Sequence, residues 1–147
     1  DTAIIMLGAN DAIGYQEPHA IEPPQFGKNL KKLIGRTLLD THRVVLLTPT
    51  IDPTAGEEIR SRLAGYRTVI LMLCESLDSV VCGPDIQKIL DGPDTGLPSL
   101  HPSEEGHRQI ADAIDEFLTH SVPEPKTEKL RLAPASGSVP PRGQKPR

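Results

Sequence analysis

Tryptophan is absent from this chain, and Phe and Tyr together make up only 3% of it. A core must therefore be assembled from Leu, Ile, Val and Ala. The rings on which single-stranded nucleic acids stack are too few to form a platform. Positive charge is scarce over most of the length. From Ser121 onward six Lys/Arg face two Glu, about +4, so a whole-chain charge of −4 leaves about −8 on the preceding body. An acidic body argues against a nucleic-acid partner. No apolar run approaches the roughly 20 residues that span a bilayer, so no membrane span is expected. The two cysteines, Cys74 and Cys82, read as small buried apolar side chains. No second Cys/His pair has zinc-like spacing, and neither a metal nor another cofactor is expected. There is no initiator Met: Asp1 leads straight into an apolar run, which reads as the interior of a longer protein. Compartment and oligomeric state stay open.

What is present is a run of alternating elements in 147 residues, enough for one domain with a core. Residues 3–7 (AIIML) read as a fully buried parallel strand ending at Gly8. Residues 14–27, with Pro18, Pro23 and Pro24, read as a loop. Phe26, Leu30, Leu33, Ile34 and Leu38 predict a helix over 24–40. A second buried strand follows at 44–47, closed by Thr48-Pro49. Ile59, Leu63, Tyr66, Ile70, Leu73 and Leu77 predict a helix over 55–77. A short strand at 80–82 leads into a Pro- and Gly-rich connection, 83–102, with one helical turn at 86–90. Ser103 is a good N-cap for a last helix with Ile110, Ala111, Ile114, Phe117 and Leu118 on its apolar stripe, and Glu104 and Glu105 in its first turn.

Strand–helix–strand–helix–strand–helix order predicts an α/β fold, a parallel sheet covered on both faces. Residues 1–120 form its domain. Residues 121–147, Pro-rich and basic, read as a disordered tail. Three strands make a small sheet whose first strand presents a raw apolar edge, so N-terminal strands are expected to be missing.

Two segments carry chemistry. Gly8-Ala9-Asn10-Asp11 follows a buried strand, where open α/β sheets place ligands. Gly8 permits close backbone approach, and the Asn10 amide can donate to a developing oxyanion. His101-Pro102-Ser103-Glu104-Glu105-Gly106-His107 opens the last helix. His101, in a loop before that helix, is placed as a general base, while His107 reads as packing or bonding locally.

The order of these segments, with Thr48-Pro49 after the middle strand and Tyr66 within the following helix, closely resembles the SGNH hydrolases, also called GDSL lipases and esterases. The likeness covers about residues 1–120. It implies a three-layer α/β/α, flavodoxin-like fold, a small acyl- or acetyl-ester substrate, and an acyl-enzyme mechanism. Gly8 and Asn10 match the oxyanion-hole block, with Asn10 as donor, and His101 matches the base. No metal is implied.

Three departures matter. The family's Gly-Asp-Ser-Leu nucleophile block and its glycine block are absent, so the serine is expected upstream of Asp1 and the chain alone is expected to be inactive. The family's acid lies three residues before the histidine, where this chain has Pro98; Asp94 in the same loop, or a backbone carbonyl, is left to orient His101. Finally, Cys74-Glu75-Ser76-Leu77 imitates the nucleophile block, but the apolar spacing there is helical and no glycine permits an elbow. The competing reading is a non-catalytic relative that binds or scaffolds. A phosphate binder is disfavoured, because no Gly-rich phosphate loop is present.

Overall fold

The computed structural model describes residues 1–14, 20–91 and 102–121. Three strands, β1 (Thr2–Met6), β2 (Arg43–Leu47) and β3 (Val80–Cys82), form a parallel sheet in the order β1-β2-β3. The helices are α1 (Ala9–Ile13), α2 (Pro23–Thr37), α3 (Glu57–Ser76), α4 (Ile86–Leu90) and α5 (Glu104–Glu116), the last continuing as a π-helical turn over Phe117–Ser121.

The central strand explains the layering. Val44, Val45, Leu46 and Leu47 are all buried, as expected of a parallel strand covered on both sides. Val44 and Leu46 join a core with Phe26, Leu30 and Ile34 of α2 and Leu63, Tyr66 and Ile70 of α3. Val45 and Leu47 join a second core with Ile86 and Leu90 of α4, against which Ile110, Ile114 and Phe117 pack. The sheet therefore has helices on both faces. Each large side chain buried here contributes roughly 1.5–3 kcal/mol.

Local chemistry sets most helix ends. Pro23 occupies the first position of α2, where a missing N–H costs nothing. The helix stops at Thr37, short of the expected 40, because Leu39 and Asp40 donate in tight turns to the Arg36 and Thr37 carbonyls. Ser103 caps α5, its Oγ accepting from the Gly106 N–H at 3.1 Å.

Several expectations need correction. Residues 3–7 are not a fully buried strand. Ile4 pairs with Val45 and Met6 with Leu47, which puts them on the α4/α5 face, yet they are 43% and 49% exposed. The helices of that face cover β2 and stop short of β1; Ile5, on the opposite face, packs against the α2/α3 core. The stripe of α5 is narrower than expected, with Ala111 and Leu118 exposed. Cys74 and Cys82 are not free thiols. They form a disulfide across a Cα separation of 5.6 Å, tying the last turn of α3 to β3.

That bridge closes a short loop, so its removal should release denatured-chain entropy worth roughly 2–3 kcal/mol. Urea denaturation of Cys74→Ala, compared with the native chain with and without dithiothreitol, checks this. The variant and the reduced native chain are expected to share one lowered midpoint, insensitive to reductant in the variant.

Candidate functional site

The chain leaves β1 through Leu7 and turns at Gly8, whose φ is +118°. This conformation is costly for any residue with a Cβ. Gly8 is also buried against rings: a Cβ there would stand 2.9 Å from Tyr66 Cδ2 and 3.3 Å from Phe26 Cε2. The turn starts α1, a five-residue helix that the apolar pattern does not predict. The Ala12 N–H donates to the Gly8 carbonyl at 3.0 Å.

Neighbouring elements hold α1 in place. The Ile21 N–H donates to the Asp11 carbonyl at 3.0 Å, and Arg62 Nη1 donates to the Ala12 carbonyl at 3.3 Å. Arg62 is itself paired with Glu22 and Glu58. Tyr66, fully buried, stacks on Phe26 at 4.1 Å between ring centroids and 13° between planes. Its hydroxyl donates to the Ile21 carbonyl. Burial first, then the charge of Asp11, pushes this phenol up to about 12.

At the C-terminal ends of β1 and β2 lies a cleft of about 220 Å³, lined by Leu7, Gly8, Asn10, Asp11, Pro49 and Thr50 among others. Asn10, in the first turn of α1, is exposed to it. Among the described residues its side-chain amide has no hydrogen-bond partner, which leaves both N–H donors for a guest. The far wall, the segment after β2, is fixed by a polar network that the sequence did not reveal. Arg67 donates to Thr48 Oγ1 at 3.2 Å and pairs with Asp85 at 2.8 Å. Gln87 Oε1 accepts from the Ile51 N–H at 2.6 Å. Burial works to raise the Asp85 carboxyl, but Arg67 with the Gln87 N–H and Lys88 outweighs it and holds the group below its ordinary value.

The structure thus brings Gly8 and Asn10 together in one cleft. His101 and Asp94 lie outside the described residues. His107 is exposed, and its Nδ1 lies 2.9 Å from the Ser103 carbonyl, a local contact. Ser76 ends α3 as an exposed helical residue whose hydroxyl donates to the Leu73 carbonyl at 3.4 Å, not as a residue on an elbow. Among the described residues no group of three or more His, Cys, Asp or Glu could hold a metal. No helix there is long and apolar enough to cross a membrane.

The architecture is shared with solved hydrolases. An alpha/beta hydrolase enzyme from the metagenome of Lake Arreo, Spain, superposes with a TM-score of 0.62 at 25% identity, over 81% of this chain and 58% of that one. A mutant of an acetyl-xylooligosaccharide esterase from Geobacillus Stearmophilus superposes with a TM-score of 0.61 at 22% identity, over 77% of this chain and 57% of its own. The chain spans rather more than half the length of each. No protein-family model matches it, and no curated protein matches it in sequence.

Two tests follow from this geometry. Gly8→Ala should cost about 1–3 kcal/mol or more, because it combines a strained φ with ring overlap. Gly35→Ala, in the last turn of α2 with open space around it, should gain up to about 0.5 kcal/mol. Thermal unfolding of the two variants reads the opposite signs. For Tyr66, the folded value lies above the ~10 of an unfolded tyrosine. Its contribution is therefore complete below about pH 10 and is lost as pH rises through about 12. Urea midpoints across that window should fall in the native chain and fall less in Tyr66→Phe.

Proposed function

We propose that residues 1–120 are the larger part of a serine ester hydrolase of the SGNH type. The observation that carries this reading is Asn10: an amide without a hydrogen-bond partner among the described residues, set in a cleft at the end of a parallel strand by a turn whose left-handed φ favours glycine. Such a donor, carried by a backbone that the turn holds in place, can stabilise the oxyanion of an acyl-transfer transition state.

In this mechanism a serine hydroxyl attacks the ester carbonyl while His101 takes its proton. The carbonyl oxygen becomes an oxyanion and accepts from Asn10 Nδ2. Collapse of the tetrahedral intermediate breaks the acyl–oxygen bond, and His101 returns the proton to the departing alcohol. Water then repeats the sequence and releases the acid. Asp94 or a backbone carbonyl orients the imidazole. The serine belongs on a strand paired with the outer edge of β1. The exposed Ile4 and Met6 support this placement, as they leave an apolar face for such a strand and its helix to cover. Small acyl or acetyl esters are the proposed substrates. The residue pattern of the SGNH likeness and the fold shared with an esterase support them.

The test uses the protein carrying that strand. There Asn10→Ala should lower kcat on p-nitrophenyl acetate by roughly 10²–10³ with little change in KM. His101→Ala should lower it by several orders of magnitude, and a fluorophosphonate should label one serine. Near-native turnover by His101→Ala rejects the mechanism. Absence of labelling favours a non-catalytic relative that kept the fold and lost the chemistry. Residues 1–147 alone should show no turnover above buffer.

A further inference from the structure

On the outer surface of the α2/α3 layer, remote in the chain from the residues of the cleft, the two helices meet closely at Gly27, where a Cβ would stand 2.9 Å from Val69 Cγ1. Beside this contact runs a groove of about 310 Å³, lined by Val69, Met72 and Leu73 on α3 and by Lys28 and Lys31 on α2. Met72 is 61% exposed, and the only other polar side chain on the groove, Ser76, already bonds to its own helix.

The charges on α2 are unusual for this chain. The helix carries Lys28, Lys31, Lys32 and Arg36 and no Asp or Glu, although the chain as a whole is at −4. All four cations are exposed, and none is ion-paired among the described residues. Arg62, Arg67 and Arg108, by contrast, each hold a carboxylate.

We infer that this groove binds a single-chain anionic amphiphile, a long-chain fatty carboxylate. Its alkyl chain lies on Val69, Met72 and Leu73, and its head group sits between the Lys28 and Lys31 ammonium groups. The volume suits one alkyl chain, at the lower end of what small-molecule sites enclose. The apolar lining selects length, because each buried methylene raises affinity roughly threefold to fourfold. The two lysines select charge: exposed pairs of this kind are worth up to roughly tenfold together. The site is independent of the ester-hydrolysis reading, and its test does not measure turnover.

Amide chemical-shift mapping of the 147-residue chain with sodium dodecanoate, below its micellar concentration, tests the proposal. Saturable shifts at Gly27, Lys31, Val69 and Met72 are expected. Octanoate should bind more weakly, acetate not measurably, and the neutral dodecyl maltoside roughly tenfold more weakly than dodecanoate. Lys28→Gln/Lys31→Gln, at exposed positions, should keep the native Tm and lose roughly tenfold in dodecanoate affinity. The proposal is overturned if the shifts map elsewhere, if dodecyl maltoside binds equally well, or if the double variant binds as the native chain does. It is also overturned if dodecanoate gives no shifts while the protein sediments with vesicles of equimolar phosphatidylcholine and phosphatidylserine, which would make the patch a lipid-surface contact.

Discussion

The backbone of Gly8 lies against the ring of Tyr66, and the wall of the cleft that carries Asn10 follows from that contact. The ring is buried, stacks on Phe26, and donates its hydroxyl to the Ile21 carbonyl. Gly8 can lie there only because it has no Cβ and accepts a φ of +118°. The turn this allows ends β1 abruptly and starts α1, whose first turn presents Asn10. A five-residue helix has little stability of its own, so its orientation comes from Tyr66 beneath and from Arg62 and the Ile21 N–H at its far end.

The opposite wall is built differently. The segment after β2 is anchored by Ile51, which packs against the α2/α3 core, and by Arg67, Thr48, Asp85 and Gln87, a chain of charged and neutral hydrogen bonds at the edge of the α3/α4 layer. One wall therefore rests on ring packing and the other on packing combined with polar contacts. Partly buried networks of that kind stay ordered only when each member finds its partner.

Much of this could be read in the sequence, for a physical reason. Leu, Ile and Val at periods of three and four, or in a short continuous run, reflect burial directly. The three strands and the helices α2, α3 and α5 therefore fall within a few residues of their expected bounds. The helical spacing through Cys74 and Ser76 matches the end of α3, which runs to Ser76 and leaves no elbow there. What could not be read depends on contacts between distant residues. Five residues are too few to show a period, so α1 leaves no mark in the apolar pattern. The Cys74–Cys82 bridge depends on where α3 ends relative to β3. Arg67 and Asp85 lie 18 residues apart with no pattern linking them. The apolar run 3–7 looks like a central strand because a face waiting for cover has the same composition as one already covered. For the site, Gly8 reads as permitting close backbone approach, and it does lie against the Tyr66 and Phe26 rings; the tetrapeptide by itself does not separate Asn10 as a donor from an ordinary turn residue. Asp94 and His101 fall outside the described residues.

The central claim is that Asn10 and His101 converge on one reacting carbonyl. The most direct measurement is a crystal structure of the serine-bearing protein inactivated with a small phosphonate, whose phosphoryl oxygen stands where the oxyanion forms. The account predicts that this oxygen lies within about 2.7–3.1 Å of Asn10 Nδ2, with the His101 imidazole in hydrogen-bonding reach of the serine oxygen. A phosphonate with Asn10 turned to solvent, or His101 at the opposite end of the sheet, would contradict it.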